Sequence, residues 1–197
     1  MLASQLDITD PDMLKTLQSY MEEFWLENKD TLQIEEKDEK TGESRNGGIQ
    51  LIFGCTTPCV KEYELKVFGP YTNNRKYSKL YNAGRSLIKN YFPKWQWNQM
   101  YLHFNREVGK HKDKGSIDKL VLIISFGNYE GGELVIIDEK GEEHIFNGKN
   151  KINMVEAVKY EHYIKPIKVE GNNCKFSFCL AYNENYPPYD DNSIFYN

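Results

Sequence analysis

No run of apolar residues in this sequence comes near the roughly 20 needed to cross a bilayer as a helix, so no helical membrane span is expected. The opening MLASQLDITDPD lacks the basic patch and apolar stretch of a secretory signal, and an unexported protein is expected. Cysteine is sparse, at four residues: Cys55, Cys59, Cys174 and Cys179. With no mark of export, reduced thiols in an intracellular compartment, cytoplasmic or nuclear, are expected rather than disulfides. Cys55 and Cys59 have no second close-spaced Cys/His pair, which argues against a structural zinc site and leaves the cysteines as packing residues. The helical zinc motif HExxH is missing as well.

What remains is ordinary for a globular domain: 197 residues, 40% hydrophobic and 27% charged. The net charge of −4 hides an asymmetry. Residues 1–49 hold 12 acids against 5 bases, whereas 61–114 hold 12 bases against 4 acids. The second excess suits a polyanionic partner, although a solvated surface is the commoner meaning of such a run.

Asp10, Pro11 and Asp12 form a helix-start signature of cap, first-turn proline and dipole-matched acid. Met13, Leu14, Leu17, Met21, Phe24 and Trp25 then recur at helical spacing, predicting one helix to about residue 28. A charged, glycine-bearing stretch near 35–48 has no period and is expected to be a loop. Strands are expected at 49–53 and 60–67, and a second helix over 73–91 that Gly84 weakens and Pro93 ends. From Trp97 onward the pattern alternates with period two, and LVLIISF (120–126) is a continuous buried run. Further strands are expected near 133–138, 143–147, 152–158, 162–169 and 174–182. Helices first and many short strands afterwards give an α+β chain ending in a sandwich or barrel. We divide it into a support region (1–96), a core (97–183) and a tail (184–197), forming one integrated domain.

The chemistry begins at His111-Lys112-Asp113. In extended chain, residues two apart share a face, so this imidazole and carboxylate can reach one ion. Two histidines and a carboxylate on one face of an octahedral ion leave three positions open, the pattern of non-haem iron(II) oxygenases. Taken alone, His-x-Asp in KHKDKG also suits an exposed polar turn. A third ligand has two sources downstream, His144 beside a hairpin and His162 at the head of a strand–turn–strand unit; a surface strand role suits His144 better. In the last strand Lys175, Ser177 and Cys179 share one face, and Phe176, Phe178 and Leu180 the other. A cation and a hydroxyl facing the interior are costly unless paired, and a dicarboxylate is a natural partner; an edge-strand lysine in solvent is the plainer alternative.

In order, the sequence reads N-x5-H-x-D, an apolar strand, GGEL, an FNG turn, then H-x3-P-I-x3-G-x3-K-x-S. Over roughly 97–182 this resembles the iron(II)- and 2-oxoglutarate-dependent dioxygenase superfamily. HFNREVGKHKDKGSIDKLVLIISFGNYEGGELVIID is most similar to its Tet/JBP branch, which oxidises 5-methylpyrimidines in nucleic acid. The resemblance implies a double-stranded β-helix (jelly-roll) core with the N-terminal helices packed on one sheet. It assigns the metal, Fe(II), to His111, Asp113 and His162. It assigns the cosubstrate 2-oxoglutarate to Lys175, assisted by Ser177, with Asn105 nearby, and makes O2 the oxidant. Where that branch usually has arginine this chain has Lys175, a point charge rather than a bidentate fork.

For the substrate, the resemblance and the basic stretch point to a nucleic-acid base, with Tyr71, Tyr77, Tyr81, Trp95 and Trp97 as stacking partners. For most of those aromatics core packing is the expected role. The alternatives are a prolyl-type protein hydroxylase and an inactive cosubstrate-binding scaffold.

Overall fold

The computed structural model describes residues 3–30, 36–37, 44–46, 49–56, 69–70, 76–94, 97–113 and 120–182. In chain order the elements are β1 (Ala3–Asp7), α1 (Pro11–Asn28), β2 (Glu36–Lys37), β3 (Ser44–Asn46), β4 (Ile49–Thr56), β5 (Gly69–Pro70) and α2 (Ser78–Tyr91). There follow β6 (Gln99–Phe104), β7 (Val121–Gly127), β8 (Glu130–Gly131), β9 (Leu134–Ile137), β10 (Glu143–Phe146) and β11 (Lys151–Val155). The last are β12 (Glu161–Ile164), β13 (Ile167–Lys168) and β14 (Lys175–Ala181).

The predicted first helix is present, capped by an Asp10 carboxylate that accepts the Met13 N–H at 3.0 Å. The second covers Ser78–Tyr91; residues 71–75, which hold its expected start, and the predicted strand 60–67 lie outside the described residues. Within the stretch expected to be a loop, β2 and β3 pair. β1 has no counterpart among the predicted elements: ASQLD has little strand propensity, and it is held by antiparallel pairing with β11.

A main sheet runs β1-β11-β7-β14-β6-β4-β5, and a smaller one runs β10-β9-β12. The strap 105–113 joins the smaller sheet through an antiparallel bridge between His111 and His162. The chain therefore alternates between sheets: β6, strap, β7, then β9 and β10, β11, β12, β14. That alternation is the double-stranded β-helix. β1 and β4, from the N-terminal half, extend the main sheet on either side.

The two faces of the main sheet differ in what they meet. Met100, Leu102, Phe104, Leu122, Ile124, Phe126, Phe176, Phe178 and Leu180 pack in one cluster with Leu17, Met21 and Phe24 of α1 and Leu80, Tyr81, Leu87 and Ile88 of α2. Each such side chain contributes about 1.5–3 kcal/mol on burial, so this layer anchors the fold. Gly84, read from sequence as a weakness, is a position where α2 packs tightly against the sheet. A Cβ there would lie 2.7 Å from Met100 Sδ and 3.0 Å from Phe178 Cε1. On the other face, Val121, Ile123, Leu134, Ile136 and Val155 form a second cluster between the sheets. Alternation in β14 then turns Lys175, Ser177 and Cys179 inward, as predicted.

Candidate functional site

A cavity of about 240 Å³ opens between the sheets, and His111, Asp113, His162, Lys175 and Ser177 all line it. Strands supply most of its walls, and the strap supplies Arg106, Val108, His111 and Asp113. The strap is fastened by His111 N–H to His162 O (3.0 Å), His162 N–H to His111 O (2.8 Å) and Asp113 N–H to Ala157 O (3.0 Å). Glu107 secures it further by accepting the Ile167 N–H at 2.7 Å.

His111 Nε2 lies 3.3 Å from Asp113 Oδ1, and His162 Nε2 lies 3.8 Å from the same oxygen. Both imidazoles turn Nδ1 to a backbone carbonyl, His111 to Gly109 O at 2.8 Å and His162 to Tyr160 O at 3.1 Å. A carbonyl only accepts, so each Nδ1 carries a proton and each Nε2 faces the cluster, with His111 Nε2 in hydrogen-bonding distance of Asp113. Burial pushes the His162 imidazole down, while the hydrogen bond to Asp113 draws His111 up. Burial pushes the Asp113 carboxyl up, but its hydrogen bond from His111 and the nearby histidines outweigh this and hold it below its ordinary range. Donors sharing one face of an octahedral ion at about 2.1 Å stand about 3 Å apart, close to the spacing seen here. The set of two imidazole nitrogens and one carboxylate suits a first-row divalent ion.

Lys175 is 3% exposed. Its Nζ donates to Gly132 O at 2.8 Å and sits 5.6 Å from the Tyr129 ring centroid. Burial pushes its ammonium down to about 8. Ser177 Oγ lies 3.0 Å from Ser125 Oγ. Asn105 is adjacent, but its side chain is engaged with the backbone. Its Oδ1 accepts the Lys175 N–H at 2.7 Å, and it is not among the residues lining the cavity. His144 is away from the site, on β10, with Nε2 3.0 Å from Asp138 Oδ2.

Sequence reasoning passed over His103 and Gln50. His103 faces the cavity from β6, in register with Ser177 on one side and Gln50 on the other. Its Nε2 lies 3.0 Å from Gln50 Oε1, and Cys179 Sγ lies 3.7 Å from its Nδ1. Burial, then the charges of Arg106 and Lys175, push its imidazole down to about 3, so it is neutral at ordinary pH. Burial raises the Cys179 thiol to about 12, which keeps it protonated and unsuited to ligate a metal. The period-two alternation of Tyr101, His103 and Asn105 was the signal that could have found His103.

Lys79 and Lys89 of the basic stretch lie on α2, which packs on the far face of the main sheet, away from the cavity. Only Arg106, Lys110 and Lys112, among its described bases, stand on the strap. Tyr81 and Trp97 take the core-packing role expected for most of the aromatics, 2% and 5% exposed in the helix–sheet core, and Tyr77 packs edge-on against Phe24. Tyr71 and Trp95 lie outside the described residues.

No family model and no curated protein matches the chain by sequence. Solved structures do resemble it. A Pseudomonas putida prolyl-4-hydroxylase is 11% identical, with 92% of each chain covered and a TM-score of 0.50. A Trichoplax adhaerens prolyl hydroxylase, in complex with a hypoxia inducible factor oxygen degradation domain peptide fragment, is 8% identical; the match covers 93% of this chain and 84% of that one, at a TM-score of 0.59. A 2OG-Fe(II) oxygenase family oxidoreductase from Burkholderia pseudomallei is 11% identical, covering 95% and 88%, at a TM-score of 0.53. At these identities the likeness establishes a shared fold, the jelly roll of the 2OG-Fe(II) oxygenases.

Proposed function

We propose that this protein is an iron(II)- and 2-oxoglutarate-dependent dioxygenase that hydroxylates a C–H bond of a macromolecular substrate. One observation carries the reading: two imidazole nitrogens and a carboxylate converge on one wall of a cavity that also holds a buried lysine with no carboxylate partner among the described residues. His111, Asp113 and His162 would hold the metal; the ionised Asp113 and the Nδ1-protonated imidazoles suit a divalent cation, which would displace the proton His111 shares with Asp113. Lys175, with Ser177, would take the distal carboxylate of 2-oxoglutarate. A buried cation facing an apolar-walled cavity is stabilised by such an anion far more than a water-exposed charge would be. When bound, iron(II) with 2-oxoglutarate and O2 supplies the oxidising power for hydroxylation. The chain's own part is to fix three donors, keep a dry pocket and orient the cosubstrate by its charge.

For the substrate we favour a protein side chain. A structural neighbour is solved with a peptide, and the aromatics described from the expected base-stacking set are packing residues. The second reading, a 5-methylpyrimidine base, is supported by the sequence likeness to the Tet/JBP branch and by Arg106, Lys110 and Lys112 on the strap. The test is anaerobic loading with iron(II) and 2-oxoglutarate, then exposure to O2 with peptide, DNA and RNA pools, read by mass spectrometry. A gain of one oxygen atom on a peptide, with matching succinate, supports the favoured reading; an oxidised base supports the second. Absence of succinate with every substrate pool would overturn the dioxygenase reading itself.

A further inference from the structure

Lys175 is an unusual residue to bury, because none of the described carboxylates lies within ion-pairing distance of it. What surrounds its ammonium is the Gly132 carbonyl at 2.8 Å and the face of Tyr129, 5.6 Å from the ring centroid. Both neighbours belong to the turn between β7 and β9, the NYEGGE segment. Gly132 has φ +65, and a Cβ there would lie 3.2 Å from both Cδ and Nζ of Lys175, so the glycine leaves room for the stem. Tyr129 is itself 9% exposed, so the ring is a desolvated partner, the setting in which a cation–π contact is strongest.

We propose that Tyr129 is a positioning residue of the anion subsite, its ring face holding the Lys175 ammonium charged and aimed into the cavity before any ligand arrives. The inference rests on the reading of Lys175 as the cosubstrate's cation. It also accounts for how lysine can stand where the resembled branch has arginine. Arginine brings a weakly hydrated planar charge that tolerates burial, whereas an ammonium needs a partner. The other groups acting on Lys175 are Glu133 beside the turn and Glu107 on the strap, which favour the charged form against its burial; Cys179 on β14 stays protonated and carries no charge. Lys149 shares the same ring at 5.1 Å and competes for it.

The experiment follows the ε-methylene resonance of Lys175 by NMR in protein carrying 13C-lysine, assigned with a Lys175→Arg variant, across pH 6–11. In the wild type that resonance should show an upfield ring-current shift. Tyr129→Phe, which keeps the ring, should leave the titration midpoint within about 0.3 in pH. Tyr129→Leu should lower it by about 1 in pH, the equivalent of a lost desolvated cation–π contact. At pH 8, anaerobic binding of 2-oxoglutarate to the iron(II)-loaded Tyr129→Leu variant should weaken about fivefold, because fewer molecules carry the charged lysine. Iron(II) affinity should not move. An unshifted wild-type resonance, or an unchanged midpoint in Tyr129→Leu, overturns the role given to Tyr129, and the wild-type measurement decides even if the leucine variant fails to fold. A lowered midpoint in a protein that binds no 2-oxoglutarate leaves the Tyr129–Lys175 coupling standing and removes the dicarboxylate reading instead.

Discussion

Asn105 and Lys175 bond to each other twice: the Asn105 N–H donates to Lys175 O at 2.9 Å, and the Lys175 N–H donates to Asn105 Oδ1 at 2.7 Å. Asn105 adopts φ +48, a left-handed conformation that asparagine tolerates better than most residues. It closes the end of β6 and fixes the first residue of β14. Asn105→Ala should therefore cost about 2–4 kcal/mol, from an unpaired buried N–H plus left-handed strain. Asn105→Gly relieves the strain and should recover about 1 kcal/mol of it. Urea unfolding of the three proteins checks the order; equal stability would mean that the bond to Lys175 contributes nothing.

Asn105 also shows where sequence reading stops. Its closeness to the cosubstrate residue was implied by the family resemblance, but its side-chain partner is a backbone group 70 positions away, which no local pattern encodes. By contrast, the inward face of β14 was legible because period two admits only two assignments, and three large apolar residues settled which face is core. His111 and Asp113 share a local spacing, while their meeting with His162 depends on the bridge between the strap and β12. β1 and the role of Gly84 were hidden for the same reason: both are set by what lies opposite.

At Gly84 two effects oppose. Alanine gains about 1 kcal/mol in helix propensity. Overpacking against Met100 and Phe178 costs about 1–3 kcal/mol, and both neighbours are fully buried. We expect Gly84→Ala to be net destabilising, and Met100→Ala in that background to cost less than Met100→Ala alone. A double-mutant cycle by thermal unfolding measures the coupling; additive effects would remove the close contact.

His111→Ala, Asp113→Ala and His162→Ala should each abolish coupled succinate formation, because two donors cannot hold the ion in working geometry. Chelation of the wild type should do the same, reversibly on adding iron(II). The folded state should persist in the His111 and Asp113 variants, since both residues are partly exposed. Wild-type turnover in any one of the three would overturn that residue's place in the metal set.

For Lys175 the sign of the pH effect follows from its lowered value, about 8 when folded against 10.5 ordinarily. Between those limits the unfolded chain holds a proton that the folded one does not, so stability rises as pH increases from 8 to 10.5. The penalty relieved is at most about 3 kcal/mol. Cosubstrate binding moves the other way, because only the charged lysine attracts a dicarboxylate: affinity should fall up to about tenfold per pH unit above 8. Lys175→Ala should raise the KM for 2-oxoglutarate at least about a hundredfold at about pH 7, with iron binding retained. Calorimetry from about pH 7 to about pH 10 tests both trends, and pH-independent binding in the wild type would show that another group takes the carboxylate.

The last prediction concerns where a macromolecule docks. Lys79 and Lys89 sit on the helix layer, on the far side of the main sheet from the cavity, whereas Lys112 lies between the two strap ligands and is exposed. If substrate approaches the cavity mouth, the double charge reversal Lys79→Glu with Lys89→Glu should leave KM within about twofold, since exposed charges beyond a Debye length of roughly 8 Å are screened. Lys112→Glu should alter KM for any acidic substrate, and more at low salt. A nucleic acid would betray itself further: its binding should weaken steeply with salt, and each phosphate-contacting base removed should lower the slope of log affinity against log salt by about 1. A peptide substrate should show a shallow slope that Lys112→Glu changes little. Steady-state kinetics at two salt concentrations on the oxidised substrate separate these cases. A large effect from the α2 reversals, with none from Lys112, would place the docking surface on the helix layer.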